Sequence, residues 1–291
     1  MRILITGASG QLGAYLIDEA HRRGHEPLAW SGTDAGARSG VPLRPIDLTD
    51  RRAVERSLDE ARPDLIIHAA ALSSADAVRL DPGRAEQVNV EATRTLAGWS
   101  EHHERRLVFT STDLVFDGSK PWNREDDPAR PLLAYGRTKL DAEAAVLSSP
   151  AGLVARLPLL FGPSRSGRPD FITRAVDALR NGEPRAFFVD EFRTPLDFAT
   201  AAHLLVRLGE VGASGLVHVA GAERVSRFDL MRRGARALGL DPGLIREGRM
   251  ADVAWPEPRP VDVSLATDRL MAILPDAVRP SIEGSLRAAI G

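Results

Sequence analysis

The segment Thr6-Gly7-Ala8-Ser9-Gly10-Gln11-Leu12-Gly13 decides the fold of this chain of 291 residues. It follows the apolar run Ile3-Leu4-Ile5, which predicts a buried strand, and its glycines have a G-x-x-G-x-x-G spacing. Residues without Cβ let backbone N–H groups approach a pyrophosphate, and the following helix N-terminus adds partial positive charge. The order therefore predicts a dinucleotide site; a tight turn that needs only small residues is the competing interpretation. The residues expected to contact the dinucleotide are Gly7, Ser9, Gly10, Gln11, Leu12 and Gly13.

The second predicted strand ends in Trp30-Ser31-Gly32-Thr33, without the acidic residue that binds the ribose hydroxyls in many dinucleotide sites. Asp34 comes only afterwards, whereas Ser31 and Thr33 can bond a 2′-phosphate, with Arg38 or another arginine as counter-charge. This pattern favours NADP(H), with NAD(H) as the alternative cofactor. A solvated loop over residues 31–40 is the competing interpretation.

A second cofactor contact is predicted after the third strand. There Asp47 can accept a hydrogen bond from the adenine amino group, and Leu48 can cover the ring. Thr49 or Asp50 can instead serve as the N-cap of the next helix. Both interpretations are compatible, because they use different residues.

Short apolar runs alternate with helical patterns through the first two-thirds of the chain, which is typical of successive β-α units. The predicted strands are 2–6, 26–31, 43–46, 64–69, 106–110 and 153–157, and the predicted helices are 11–23, 50–62, 82–102 and 134–147. Runs such as Leu65-Ile66-Ile67 are entirely apolar, which indicates strands covered on both faces. The predicted fold is therefore α/β, a doubly wound parallel sheet of the Rossmann type.

The pattern changes after about Phe161, where a glycine- and proline-rich run at 162–169 precedes a predicted helix at 170–181. A strand at 216–219 and a helix at 226–238 follow. We therefore expect a dinucleotide-binding domain at 1–162, completed by parts of 188–222. Residues 163–187 and 223–291 are expected to form a smaller α/β substrate-binding region.

Composition excludes several classes of protein. Hydrophobic residues at 43% and charged residues at 27% are typical of soluble globular chains, and a formal charge of −2 leaves no basic excess for nucleic acid or an anionic membrane. There is no cysteine, so disulfides, thiolate metal sites and a cysteine nucleophile are excluded. The apolar run near Met1 is too short for a signal peptide, and no later stretch is long enough to span a bilayer. We expect a cytoplasmic protein without a metal site.

Tyr135 and Lys139 form the second informative motif. Lysine and arginine total 38, yet only Lys120 and Lys139 are lysines, and Tyr15 and Tyr135 are the only tyrosines. Residues four apart on a helix face the same way, so Tyr135 and Lys139 are expected to point into one site. A nearby ammonium stabilises phenolate and so makes tyrosine a better acid or base near neutral pH. A buried tyrosine beside a surface lysine is the alternative.

A hydroxyl group that would orient a carbonyl is available at the end of the fifth predicted strand, in Thr110-Ser111-Thr112-Asp113. Open α/β sheets place their ligands at this edge. Alternate residues of a strand point to opposite faces, so the pattern alone does not choose between Ser111 and Thr112.

Together these motifs resemble the extended short-chain dehydrogenase/reductases, and more narrowly the dTDP-4-dehydrorhamnose reductase family. The likeness rests on Gly10-Gln11-Leu12-Gly13, the run STDLVFDG at 111–118, Tyr135-Gly136-Arg137-Thr138-Lys139 and Arg259-Pro260. It implies that Thr112 is the hydroxyl of a catalytic triad, that Tyr135 is the proton donor, and that Lys139 binds the nicotinamide ribose and tunes Tyr135. It also implies that Asn89 supports the site. The implied cofactor neighbours are Ala69, Ala70, Ala71, Thr110, Tyr135 and Lys139, and the implied substrate neighbours are Thr112, Asp113, Tyr135, Leu159 and Arg193.

The resemblance implies NAD(P)H-dependent reduction of a carbonyl on a nucleotide-linked deoxy-keto-sugar by a homodimer. The chain departs from the family at Leu114, where a tyrosine is usual, and around Leu159, where a tryptophan is usual. The family also contains the regulatory beta subunit of methionine adenosyltransferase, so an NADP-binding regulatory protein is one alternative. A sugar-nucleotide epimerase is the other.

Overall fold

The computed structural model describes residues 1–167 and 171–290. The strands are β1 (Arg2–Thr6), β2 (Glu26–Ser31), β3 (Ala37–Arg38), β4 (Val41–Pro45), β5 (Leu65–His68), β6 (Arg106–Thr112), β7 (Gly152–Leu157), β8 (Leu160–Phe161), β9 (Arg185–Phe188), β10 (Phe192–Arg193), β11 (Leu196–Asp197), β12 (Gly215–His218), β13 (Val225–Ser226) and β14 (Ile245–Gly248). The α-helices are α1 (Gln11–Arg22), α2 (Arg51–Ala61), α3 (Ala75–Leu80), α4 (Pro82–Ala85), α5 (Ala92–His102), α6 (Ala134–Leu147), α7 (Phe171–Arg180), α8 (Phe198–Glu210), α9 (Arg227–Ala237), α10 (Asp268–Ile273) and α11 (Ile282–Ile290).

Eight strands form one central sheet in the order β12-β7-β6-β5-β1-β2-β4-β3. Every neighbouring pair is parallel except β3 and β4, which form an antiparallel pair at one edge. The chain builds outward from β1 through β2 to β4, and then returns to place β5 on the other side of β1. The predicted doubly wound sheet is confirmed, and the carboxyl ends of β1 and β5 mark the point where such sheets bind ligands.

The central sheet is covered on both faces, which explains its apolar strands. Along β1, Ile3 and Ile5 belong to a core shared with α1 and α8, whereas Leu4 belongs to a core shared with α2 and α5. Alternate side chains of a strand point to opposite faces, so one short apolar run supplies both cores.

The last third of the chain contributes to two places. Strand β12 pairs with β7 and so extends the central sheet. Helices α7, α9 and α11 pack with β9 and β14 around a separate apolar core that includes Ile172, Phe187, Phe228 and Leu286. This second core lies beside the carboxyl edge of the sheet, where β8 and β11 join the two parts.

Some predicted elements differ from those observed. The predicted helix 82–102 is divided by a π-helical segment, Glu86–Glu91, between α4 and α5. Helices α3, α8, α10 and α11 were not predicted, nor were the short strand pairs outside the central sheet. The predicted start of α7 at Asp170 lies outside the described residues.

Candidate active site

A cavity of about 1300 Å³ opens at the carboxyl edge of the central sheet. It is lined by all the residues that the sequence singled out as site residues, namely Gly7, Ser9, Gly10, Gln11, Leu12, Gly13, Ser31, Asp47, Leu48, Ala69, Ala70, Ala71, Thr110, Thr112, Asp113, Tyr135, Lys139, Leu159 and Arg193. The fold therefore brings together segments that are far apart in the sequence, and the roles of the residues depend on their local geometry.

The glycine loop approaches its neighbours too closely for larger residues. Gly7 has a positive φ of 69°, and a Cβ on it would lie 2.8 Å from the backbone nitrogen of Ala70. A Cβ on Gly13 would lie 2.2 Å from the carbonyl oxygen of Gly7. Gly10 is the N-cap of α1, and no side chain caps this helix end. The helix therefore presents its N-terminal N–H groups to the cavity, which is the geometry that anions prefer.

Gln11 and Asp47 also make contacts inside the protein. The Gln11 side-chain oxygen accepts hydrogen bonds from the backbone N–H groups of Arg165 and Ser166, at 2.8 and 3.1 Å. Asp47 accepts from the backbone and hydroxyl of Thr49, and these bonds lower the pKa of its carboxyl. Asp50 caps α2 by accepting from Ala53, so capping and cavity lining use different residues, as expected.

Helix α6 carries Tyr135 and Lys139 into the cavity. The helix packs so closely against the segment after β6 that a Cβ on Gly136 would lie 2.3 Å from the carbonyl oxygen of Leu114. Lys139 is 1% exposed, and its Nζ atom lies 4.0 Å from the centre of the Phe109 ring. Burial lowers the pKa of Lys139 to about 7, although the charge of Glu143 opposes the shift. Burial, assisted by the charge of Asp113, raises the pKa of Tyr135 above its ordinary value, so the lowering expected from a nearby ammonium is not observed.

The buried position of Lys139 predicts a pH-dependent stability. Its pKa falls from 10.5 to about 7 on folding, so between these values the unfolded chain binds a proton that the folded chain lacks. The free energy of unfolding therefore rises with pH in this window, by at most about 1.4 kcal/mol per pH unit from this group. We expect Lys139→Met to remove this component in urea unfolding at pH 7, 8 and 9. Lys120→Met, which changes a half-exposed residue, should leave this pH-dependent component unchanged. If the free energy of unfolding of wild type and of Lys139→Met depended on pH in the same way, Lys139 would not be its source.

Ser111 and Thr112 differ in their partners. The Ser111 hydroxyl donates to Oε1 of Glu143 at 2.5 Å, and Arg156 donates to both oxygens of the same carboxylate, at 3.0 and 2.7 Å. The Thr112 hydroxyl accepts from the backbone N–H of Leu114 and lies 3.2 Å from Oδ1 of Asp113. Ser111 is thus bound to a buried ion pair, whereas Thr112 lies at the turn where β6 ends.

Four side chains, three of them buried and Arg227 partly exposed, form what we call the arginine–carboxylate cluster, defined by Asp113, Glu191, Arg193 and Arg227. Arg193 donates to Asp113 at 2.6 Å and to Glu191 at 3.1 Å, and Arg227 donates to Glu191 at 3.0 Å. Burial acts to lower the pKa of Arg193, but the charges of Asp113 and Glu191 outweigh it and raise the value. The sequence pointed to Asp113 and Arg193, but it missed Glu191 and Arg227 because no local pattern links residues so far apart.

A hydrogen-bonded chain beneath the cavity was also missed. His68 is fully buried, with Nδ1 at 2.6 Å from the Thr6 hydroxyl and Nε2 at 3.0 Å from the Thr93 hydroxyl. Thr93 donates to the carbonyl of Asn89, so its oxygen accepts from His68. Burial and the charge of Lys139 lower the pKa of His68 to about 3, which keeps the ring neutral.

Asn89 lies in the π-helical segment and bridges two other elements. Its side-chain oxygen accepts from the backbone N–H of Leu72 at 2.8 Å, and its amide donates to the Thr138 hydroxyl at 3.0 Å. Thr138 immediately precedes Lys139 on α6. Asn89 therefore links the segment after Ala71 to the helix that carries Tyr135 and Lys139.

No helix in 1–167 or 171–290 combines the length and the apolar character needed to cross a bilayer. Within the same part of the chain, no group of three or more histidine, aspartate or glutamate residues has a metal-binding arrangement.

Comparison with known families identifies the chain. The family model described as the RmlD substrate binding domain matches residues 1–288. This chain belongs to the RmlD family. A relative from Streptomyces antibioticus named probable dTDP-4,6-dihydroxy-2-methyloxan-3-one 4-ketoreductase is 34% identical over 92% of this chain and 88% of its own length. Methionine adenosyltransferase 2 subunit beta of Pongo abelii is 31% identical over 84% of this chain and 74% of its own length.

Solved structures of the RmlD type have the same fold. A hypothetical dTDP-4-dehydrorhamnose reductase from Sulfolobus tokodaii superposes with a TM-score of 0.85 at 32% identity, covering 98% of this chain and 99% of that one. A dTDP-4-dehydrorhamnose reductase from Bacillus anthracis, solved in complex with NADP, has a TM-score of 0.86 at 23% identity, covering 99% and 98%. The family resemblance drawn from the sequence motifs is confirmed.

Proposed function

We propose that this protein reduces a carbonyl group on a nucleotide-linked deoxy-keto-sugar, with NADP(H) as the favoured cofactor and NAD(H) as the alternative. The observation that carries the proposal is the convergence of Thr112, Tyr135 and Lys139 beside the glycine loop, in one cavity at the carboxyl edge of the sheet. The Streptomyces antibioticus relative bears the name of a ketoreductase for a dTDP-linked sugar, which supports this reaction class.

The residues around the glycine loop fit a dinucleotide. Gly7 and Gly13 pack against backbone atoms that a Cβ would overlap, so only glycine allows the loop this tight conformation, and the N-terminus of α1 suits a pyrophosphate. Asp47 and Leu48 line the cavity and suit an adenine ring, and the small side chains of Ala69, Ala70 and Ala71 line the same cavity. The cofactor, when bound, supplies the hydride that the chain itself lacks.

In the proposed mechanism Tyr135 donates a proton to the carbonyl oxygen and Thr112 donates a hydrogen bond to the same atom. Burial raises the pKa of Tyr135, which keeps the phenol protonated, and lowers that of Lys139 to about 7, so that the amine is only partly protonated near neutral pH. Ligand oxygens that accept from Lys139 favour its ammonium form, which in turn stabilises phenolate at Tyr135 as the proton leaves.

We propose that the two parts of the chain bind different ligands. Residues 1–162 with parts of 188–222 hold the dinucleotide, and 163–187 with 223–291 hold the nucleotide part of the substrate. Asp113, Leu159 and Arg193 line the same cavity and are proposed to contact the sugar. From the family resemblance we also propose a cytoplasmic homodimer.

The test is reduction of a dTDP-linked 4-keto-6-deoxysugar by purified protein. We expect one NADPH to be oxidised for each carbonyl lost, measured by cofactor absorbance and by chromatography of the product. Product formation without net consumption of NADPH would identify an epimerase instead.

A regulatory role is the second candidate, because the methionine adenosyltransferase subunit beta is 31% identical. Saturable NADPH binding without turnover of any keto-sugar nucleotide in a broad panel would favour it. The departures at Leu114 and Leu159, which both line the cavity, make such a panel necessary.

A further inference from the structure

Tyr135 lies in the first turn of α6, because this helix begins at Ala134. Backbone N–H groups in the first turn of a helix have no partner within the helix, and helix ends open more readily than helix interiors. The N-cap residue is Leu133, whose apolar side chain accepts no hydrogen bond, and the first turn of α6 contains no acidic residue. The proposed proton donor therefore lies on a turn that its own local sequence leaves uncapped.

A carboxylate from much later in the chain supplies this cap. Oε1 of Glu257 accepts from the backbone N–H of Ala134 at 2.8 Å and from Nη2 of Arg137 at 3.2 Å. The Glu257 side chain is only 13% exposed, so the bond to Ala134 is largely shielded from water. A carboxylate at a helix N-terminus is stabilised both by the charge-assisted hydrogen bond and by the helix dipole.

Glu257 belongs to residues 253–260, which we call the proline segment. Three of its side chains are partly buried, and the two prolines between them are exposed. The partly buried residues are Trp255, Glu257 and Arg259. Proline reduces the conformational entropy of the unfolded chain, so ordering this segment costs less than ordering a segment without prolines.

The proline segment is also attached on both sides of its contact with α6. On one side, the Trp255 ring lies edge-on to Phe188 of β9, with 5.8 Å between the ring centres. On the other side, Pro260 packs so closely on Gly118 that a Cβ on this glycine would lie 2.7 Å from the proline Cβ. Arg259 lies over the Trp255 ring, at 4.4 Å from its centre, and lines the cavity. The segment therefore spans from β9 to the turn after β6.

We propose that Glu257 is a positioning residue for the proton donor: as the cap of α6, it holds Tyr135 and the proline segment in a fixed arrangement around the cavity that Tyr135 and Arg259 both line. This inference rests on the proposed function. Lys139 is one turn further along α6, where the helix's own hydrogen bonds and the contact with Phe109 hold it. Glu257 therefore acts on the chemical step and leaves dinucleotide binding almost unchanged.

The test combines hydrogen–deuterium exchange of the ligand-free full chain with single-turnover oxidation of NADPH in the presence of a dTDP-linked keto-sugar. We expect Glu257→Ala to speed exchange in peptides covering 134–138 by about tenfold, because the first turn of α6 opens more often. It should slow the chemical step by about tenfold, because the acid is displaced, and leave the dissociation constant of NADPH within about twofold. Glu257→Gln keeps an oxygen that can accept from Ala134, so it should recover most of the rate.

Two comparisons separate positioning of Tyr135 from a general structural role. If Glu257 acts through Tyr135, adding Glu257→Ala to Tyr135→Phe should slow the reaction by less than about twofold further, because the group that it positions is already lost. Asp252→Ala is the matched control, since this exposed carboxylate accepts from the backbone N–H of Arg249 within its own turn. It should leave both the exchange at 134–138 and the chemical step unchanged.

Unchanged exchange at 134–138 in Glu257→Ala would overturn the proposal, and so would an unchanged chemical step. A further tenfold loss in the Tyr135→Phe background would show that Glu257 acts elsewhere. Thermal melting checks that each variant is folded; should Glu257→Ala not fold, Glu257→Asp, whose carboxylate is one methylene shorter, should show the same pattern at smaller size. Wild type that reduces no keto-sugar would refute the proposed function, and the exchange result would still decide whether Glu257 caps α6.

Discussion

Replacing Tyr135 by phenylalanine is expected to slow carbonyl reduction by about 10²- to 10⁴-fold, the usual contribution of a positioned general acid. The change removes one oxygen atom and leaves the ring that lies beside the end of β6, so the fold and cofactor binding should persist. The measurement is single-turnover oxidation of NADPH in the presence of a dTDP-linked keto-sugar. The loss should appear in the chemical step, with cofactor affinity unchanged.

Tyr15→Phe is the matched control, since these two are the only tyrosines of the chain. Tyr15 donates to the carbonyl of Pro163 at 2.9 Å and stacks on Phe198, away from the proposed chemistry. Losing this bond should cost about 0.5–1.5 kcal/mol of stability and leave the chemical step unchanged. A Tyr135→Phe variant that reduces its substrate at the wild-type rate would refute the proposed acid.

Replacing Arg193 by methionine is expected to lower the free energy of unfolding by about 3–5 kcal/mol, because removing one partner of a buried ion pair leaves an uncompensated charge. Arg193 is the residue that joins Asp113 to Glu191 in the arginine–carboxylate cluster. Urea unfolding of the ligand-free protein measures the loss. Adding Asp113→Asn to Arg193→Met should recover part of it, because the carboxyl then carries no unpaired charge.

Arg44→Met provides the comparison for an exposed pair. Arg44 and Glu60 are 2.8 Å apart, with side chains 48% and 64% exposed, so their separation should change stability by about 0–1 kcal/mol. Similar losses for Arg44→Met and Arg193→Met would show that the cluster contributes no more than a surface contact.

The parts of the fold that were predictable have a local signal. The glycine spacing after Ile5 and the apolar strands fixed the order of the β-α units, and the i, i+4 spacing placed Tyr135 and Lys139 on one helix face. Helix α8 was missed because its apolar run Leu204-Leu205-Val206, all 0% exposed, does not by itself distinguish a buried helix from a buried strand.

Contacts between distant residues explain most of the remainder. The difference in partners between Ser111 and Thr112 depends on Glu143, which is 32 residues further along the chain and accepts a hydrogen bond from the Ser111 hydroxyl. The π-helical turn that carries Asn89 is a change in backbone hydrogen bonding, which side-chain periodicity does not encode. Glu191 and Arg227 meet only because β10 and β13 pair.

The position of Lys139 over the Phe109 ring has a consequence for energetics. A pKa of about 7 means that near neutral pH a substantial share of ligand-free molecules carries an uncharged amine at this site. A ligand whose oxygens accept from Lys139 selects the ammonium form and draws a proton from solution as it binds. The affinity for such a ligand therefore depends on pH, and the measured heat of binding includes the ionisation heat of the buffer that supplies the proton.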